Sequence, residues 1–138
     1  MRNIVLLLLT FTVFGCNENP ENFIQYIGGY WEIDEVRMPD GTLKDYGYND
    51  TIDFFELKAG ESGSRTKLRP NLDGTFSTNG DSEALEAVIE NENLYLICKT
   101  PFDQWREKVV KASREVLVIE NEQKIVYSYK KYQPLDLD

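Results

Sequence analysis

The chain has 138 residues, with 15 basic and 24 acidic side chains, a net charge of −9 and no histidine. That length makes one domain, large enough to bury a core of its own. The acidity argues against nucleic acid and anionic lipid surfaces as partners. The lack of histidine removes Ser-His-Asp and Cys-His constellations and the commonest metal ligand.

Met1 and Arg2 precede an apolar run from Ile4 to Phe14, broken only by Thr10 and Thr12, which runs into Gly15-Cys16. A charged start, a short apolar stretch and a small residue are the order of a secretory signal peptide. The run of 11 residues is too short for a membrane span of about 20. Val13-Phe14-Gly15-Cys16 resembles the lipobox of bacterial lipoproteins, with Phe14 bulkier than the residue usual at its position. The resemblance implies that Cys16 becomes the lipidated first residue, carrying acyl chains such as palmitate that anchor the protein in a membrane. Each buried methylene contributes about 0.8 kcal/mol, and two chains suffice for stable attachment. Asn17 rather than Asp follows the cysteine, which by the enterobacterial sorting pattern favours the outer membrane. The Glu18 and Glu21 tether is similar to surface-export tethers of Bacteroidetes lipoproteins, and which leaflet holds the anchor stays open. The chain therefore divides into a signal peptide (1–15), a lipidated cysteine with a polar tether (16–22) and one domain (23–138).

Residues 20–26 make one short helical turn before Gly28-Gly29. From there the chain reads as strands punctuated by turns. Residues 30–38 alternate, with Trp31 and Ile33 opposite Glu32 and Asp34, and end at the Pro39-Asp40-Gly41 turn. Residues 51–58 are rich in β-formers, and 59–64 read as a Gly/Ser loop. Strands at 65–69 and 75–78 flank Asn71-Leu72-Asp73-Gly74, and Asn79-Gly80 is a second hairpin signal. Strands at 84–90 and 94–99 flank a turn at 91–93; 105–112, 115–120 and 124–132 follow. Eight or nine short strands with frequent turns predict an all-β antiparallel meander, and about eight strands is a natural number for closing a barrel.

Gly29-Tyr30-Trp31 at the first strand, preceded by a helical turn, resembles the Gly-x-Trp of lipocalins. Asp73-Gly74-Thr75-Phe76, the stretch Lys111-Ala112-Ser113 to Ile119, and Tyr127 to Tyr132 resemble the later strands of small bacterial lipocalin-like lipoproteins. The chain thus resembles a Bacteroidetes-type lipocalin-like domain family over most of residues 27–132. The resemblance implies a closed calycin-type barrel whose floor is plugged by Trp31. It also implies a basic residue on the last strand over that ring, here Lys130 or Lys131. Physically, a barrel floor needs a large apolar plug, and Trp supplies the most area per residue.

Cys98 sits in a strand-like run, where it reads as a small buried hydrophobe. With Cys16 acylated it has no intramolecular disulfide partner. Asp53 with Glu56, and Glu83 with Glu86, are spaced so that strand alternation puts each pair on opposite faces. They read as solvated charges rather than a glycosidase pair. Asn71-x-Asp73-Gly74 lacks the first ligand of a calcium loop because Arg69 stands there, so it reads as a turn. Asn49-Asp50-Thr51 fits a glycosylation sequon and reads as a loop end. No catalytic residue, metal or cofactor is assigned. The residues expected to line the interior are Trp31, Ile33, Phe54, Phe76, Leu96, Val118, Tyr127 and Tyr129. Loop aromatics Tyr46, Tyr48 and Phe102 are candidates for recognition, whereas Trp105 reads as covering a barrel end. The expected function is a non-enzymatic, lipid-anchored barrel taking a small apolar or amphipathic ligand. The alternative is a side-chain-filled barrel that binds an envelope protein partner or inhibits a foreign enzyme.

Overall fold

The computed structural model describes residues 18–58 and 62–134. The expected signal peptide, Cys16 and Asn17 lie outside the described residues, as do the first three positions of the 59–64 loop. A short helix, α1 (Glu21–Ile27), is followed by β1 (Gly29–Arg37), β2 (Leu43–Asp45), β3 (Ile52–Lys58), β4 (Ser62–Pro70) and β5 (Phe76–Ser77). The chain continues through β6 (Ser82–Glu90), β7 (Asn93–Lys99), β8 (Gln104–Ala112), β9 (Val116–Glu120) and β10 (Val126–Lys131). The sheet runs β10-β9-β8-β7-β6-β4-β3-β1 and closes where β1 pairs with β10, all antiparallel. The result is the closed eight-stranded barrel that the lipocalin-like resemblance implies. β2 and β5 are short additions: β2 pairs with the second half of β1, and β5 with the end of β4.

Three differences from the sequence reading have simple causes. β2 is a three-residue strand, exposed along its length, so it carries no alternation. Residues 62–64 are strand rather than loop, because Ser62, Gly63 and Ser64 pair with Lys58, Leu57 and Glu56 across the β3–β4 hairpin. Tertiary pairing here overrides a Ser/Gly composition. The β6–β7 turn is also tighter than three residues. Glu90 pairs with Asn93, and Asn91 and Glu92 both take positive φ, as a two-residue type I′ hairpin requires.

Inward positions follow the register. Trp31, Phe55, Leu94, Leu96, Leu117 and Ile119 are fully or almost fully buried and pack as one core. Phe23 and Ile27 of α1 close that core from one end, and Trp31 Nε1 donates to the Ile27 carbonyl oxygen at 2.8 Å. Gly29 takes φ +127°, and a Cβ there would come 2.5 Å from Lys131 Nζ. That ammonium lies 4.4 Å from the centroid of the Trp31 ring. Lys131 is therefore the basic residue over the floor tryptophan, stabilised by its quadrupole. Lys130 faces outward, 3.5 Å from Glu32 and 3.7 Å from Asp34. One end of the barrel is thus sealed by α1, Trp31 and Lys131.

Candidate functional site

Above the apolar floor the inward positions change character. Phe55 is followed up the barrel by Arg65 of β4, whose guanidinium carbon lies 5.5 Å over the Phe55 ring. Arg65 pairs in register with Glu83 of β6, and Glu107 of β8 pairs with Leu96 of β7. The three charged side chains meet inside the barrel. Arg65 Nε donates to Glu83 Oε2 at 2.6 Å, while Nη1 and Nη2 donate to the two Glu107 oxygens at 3.2 and 2.8 Å. Arg65 Nη2 also contacts Glu83 Oε2. The Glu107 carboxylate accepts further bonds from Cys98 Sγ at 2.9 Å and Trp105 Nε1 at 3.2 Å.

Burial alone would raise the Glu107 pKa, but the charge and hydrogen bonds of Arg65 outweigh it and hold the carboxyl below its ordinary value. Burial likewise works against the Arg65 cation, yet Glu107 and then Glu83 drive its pKa up. Burial, reinforced by the Glu107 charge, pushes the Cys98 thiol well up, so it stays protonated and donates. Beside this network Tyr129 hydrogen-bonds the Asp53 carboxylate, and burial with that negative charge raises its pKa. Lys67 Nζ stands 3.4 Å from Asp53 Oδ1.

Over this layer a cavity of about 980 Å³ opens at the end away from α1. Its walls include Ile33, Trp105, Tyr127 and Tyr129, and its rim comes from residues 79–83, 100–104 and 121–123. The lining is polar and aromatic rather than apolar. Six carboxylates (Asp53, Asp81, Glu83, Asp103, Glu107, Glu122) face two cations, Arg65 and Lys67. The site therefore carries a formal excess of negative charge.

The expected interior residues fall into three groups. Ile33, Tyr127 and Tyr129 line the cavity. Trp31 and Leu96 lie in the sealed core beneath it. Phe54, Phe76 and Val118 are corrections, since all three are on the outside. Phe54 alternates with inward Asp53 and Phe55, and its ring stacks on Tyr30 at 4.5 Å. Phe76 belongs to β5, outside the barrel wall, and stacks on the same tyrosine at 5.1 Å. Val118 lies between the buried Leu117 and Ile119, so it points the other way.

Of the loop aromatics, Phe102 is 97% exposed on the cavity rim. Tyr46 is half-buried, with its backbone N–H on the Asp34 carbonyl, and Tyr48 is 82% exposed; neither lines the cavity. Trp105 does more than cover an end, because its indole N–H holds Glu107. Asp53 and Glu83 face inward rather than forming solvated rows; Glu56 and Glu86 are exposed. Arg65, Lys67 and Glu107 were not singled out in the sequence. Inward alternation in β4 and β8 was the available signal, but their meeting depends on barrel closure. Asn71-x-Asp73-Gly74 is a turn in which Asp73 Oδ1 accepts from the Thr75 N–H at 3.0 Å. Asn49 Nδ2 donates to the Ile33 carbonyl at 2.7 Å, tying the end of the 46–51 loop to β1.

No protein-family model and no curated protein matches the chain. Among solved structures it is similar to a lipocalin-like protein from Bacteroides uniformis ATCC 8492, with 16% identity and a TM-score of 0.49, over 76% of this chain and 97% of that one. It is also similar to an uncharacterized protein from Bacteroides eggerthii DSM 20697, with 13% identity and a TM-score of 0.49, over 76% of this chain and 98% of that one.

Proposed function

We propose that the protein is a non-enzymatic binding barrel, tethered to the outer membrane through acyl chains on Cys16, that takes a small amphipathic ligand in its open end. The observation that carries this reading is the cavity of about 980 Å³ above a floor sealed by Trp31. That volume lies in the range of small-molecule sites, which are concave; the aromatic walls match theirs, and the lining is more polar than theirs. The acidic rim above that layer makes a wholly apolar ligand a poor fit, since Asp81, Asp103 and Glu122 would lose water without gaining a partner. The reading is tested by native mass spectrometry of the chain from Asn17 after incubation with an envelope extract. A discrete small-molecule adduct is expected. A bare folded chain beside an intact extract would contradict it.

A second reading, recognition of an envelope protein, is favoured by the exposed aromatics Tyr48 and Phe102. It predicts a protein adduct in the same experiment, lost in Tyr46→Ala plus Tyr48→Ala with stability unchanged.

A further inference from the structure

We infer that the cavity selects a cationic headgroup, which enters the barrel first and leaves its apolar part against Phe102 at the rim. This rests on reading the open end as a ligand site. Both cations in the lining are already committed. Arg65 spends Nε, Nη1 and Nη2 on Glu83 and Glu107, and Lys67 is paired with Asp53. A carboxylate or phosphate head that drew on Arg65 would have to pull it from its partners, leaving a buried acid uncompensated, and the more exposed Lys67 offers only an ammonium it would share with Asp53.

The rim carries the opposite signal. Asp81, Asp103 and Glu122 form no ion pair among the described residues. Asp81 Oδ2 accepts from Asn79 Nδ2 at 2.7 Å. Asp103 Oδ1 accepts from the Gln104 N–H at 2.8 Å, and Glu122 Oε1 from the Arg106 N–H at 3.0 Å. These carboxylates stand around an open-mouthed cavity whose walls include Trp105, Tyr127 and Tyr129. Carboxylates focus negative potential into such a cleft, and aromatic faces attract an ammonium as well.

Phe102 fixes the orientation. It is 97% exposed yet held in a tight turn. Its N–H and that of Asp103 both reach Thr100 Oγ1, at 3.3 and 3.1 Å, and the Thr100 N–H donates to the Asp103 carbonyl at 2.9 Å. An apolar side chain on a hydrogen-bonded turn stands outside a charged cavity. An amphiphile meets both surfaces only with its head inward and its chain outward.

The test is calorimetric titration of the chain from Asn17, which contains the whole described barrel, with three probes of one chain length: octylammonium, octyl glucoside and octanoate. Octylammonium is expected to bind at least tenfold tighter than octanoate. The preference should shrink in high salt and in Asp81→Asn plus Glu122→Gln, two exposed positions whose loss leaves the core intact. Phe102→Ala should weaken octylammonium and octyl glucoside alike. Octanoate or octyl glucoside binding as tightly as octylammonium would overturn the charge selection and leave the binding barrel standing. A preference unchanged in the double variant would overturn the role of the rim. Binding of none of the three would remove the underlying reading as well.

Discussion

Replacing Arg65 by Met tests the charged layer directly. The side chains of Arg65 and Glu107 are only 12% and 8% exposed, and Arg65 is the cation that both Glu83 and Glu107 share. Removing it strands a buried carboxylate, a class of change that costs about 3–5 kcal/mol. With a urea slope of about 2 kcal/mol/M, the midpoint should fall by about 1.5–2.5 M at pH 7. The pH dependence carries the sign. In the wild type, Arg65 holds the Glu107 pKa below its unfolded value, so that stabilisation is full above about pH 4.5 and fades as pH falls through the folded value. In Arg65→Met burial is opposed only by the hydrogen bonds from Cys98 and Trp105, so the Glu107 pKa rises from its wild-type value. Acidification then protonates the stranded carboxyl and narrows the gap to wild type. Urea unfolding followed by tryptophan fluorescence at pH 7 and pH 5 measures both effects. A variant within about 1 kcal/mol of wild type at pH 7, well short of the loss expected for a broken buried pair, would refute the reasoning. So would a gap that stays constant with pH.

Gly29→Ala should destabilise the barrel by about 1–2 kcal/mol through its positive φ alone, and more because the new methyl displaces Lys131 from the Trp31 ring. Thermal unfolding by circular dichroism checks this, with a midpoint about 4 °C lower expected per kcal/mol for a domain of this length. Cys98 should resist iodoacetamide in the folded protein at pH 8 and label promptly in 8 M urea, because it is buried and its thiol is held protonated beside Glu107. Prompt labelling in the native state would mean that the layer above the floor opens to solvent.

Much of the barrel was legible along the chain because its strands alternate and its turns carry Gly, Asn and Asp at the bends. β7 is the clearest case, with Leu94, Leu96 and Cys98 buried and their neighbours less so. What the pattern could not supply was register. Phe54 and Phe55 are adjacent β-formers, and only the pairing of Gly29 with Phe55 and of Trp31 with Asp53 decides which one faces the core. The same limit hid the site. Arg65 lies 18 positions from Glu83 and 42 from Glu107, and a closed sheet is needed before the three can meet. A sequence reader sees charges in half-polar strands and assigns them to solvent. Here the inward charges of β3, β4, β6 and β8 face the open part of a barrel. The floor was easier, because Gly29 and Trp31 are neighbours in sequence and in space, and only the choice between Lys130 and Lys131 waited on the register of β10.

The chain has two tryptophans, one at each level of the barrel. Trp31 Nε1 is bound to Ile27 in the sealed floor, and Trp105 Nε1 to Glu107 in the cavity wall. Titrating the 15N-labelled chain with envelope lipid extract, and following its two indole N–H resonances, addresses the binding barrel most directly. A ligand in the open end should shift the Trp105 signal and leave Trp31 in place. Two unmoved indoles, or a shift confined to Trp31, would contradict the account.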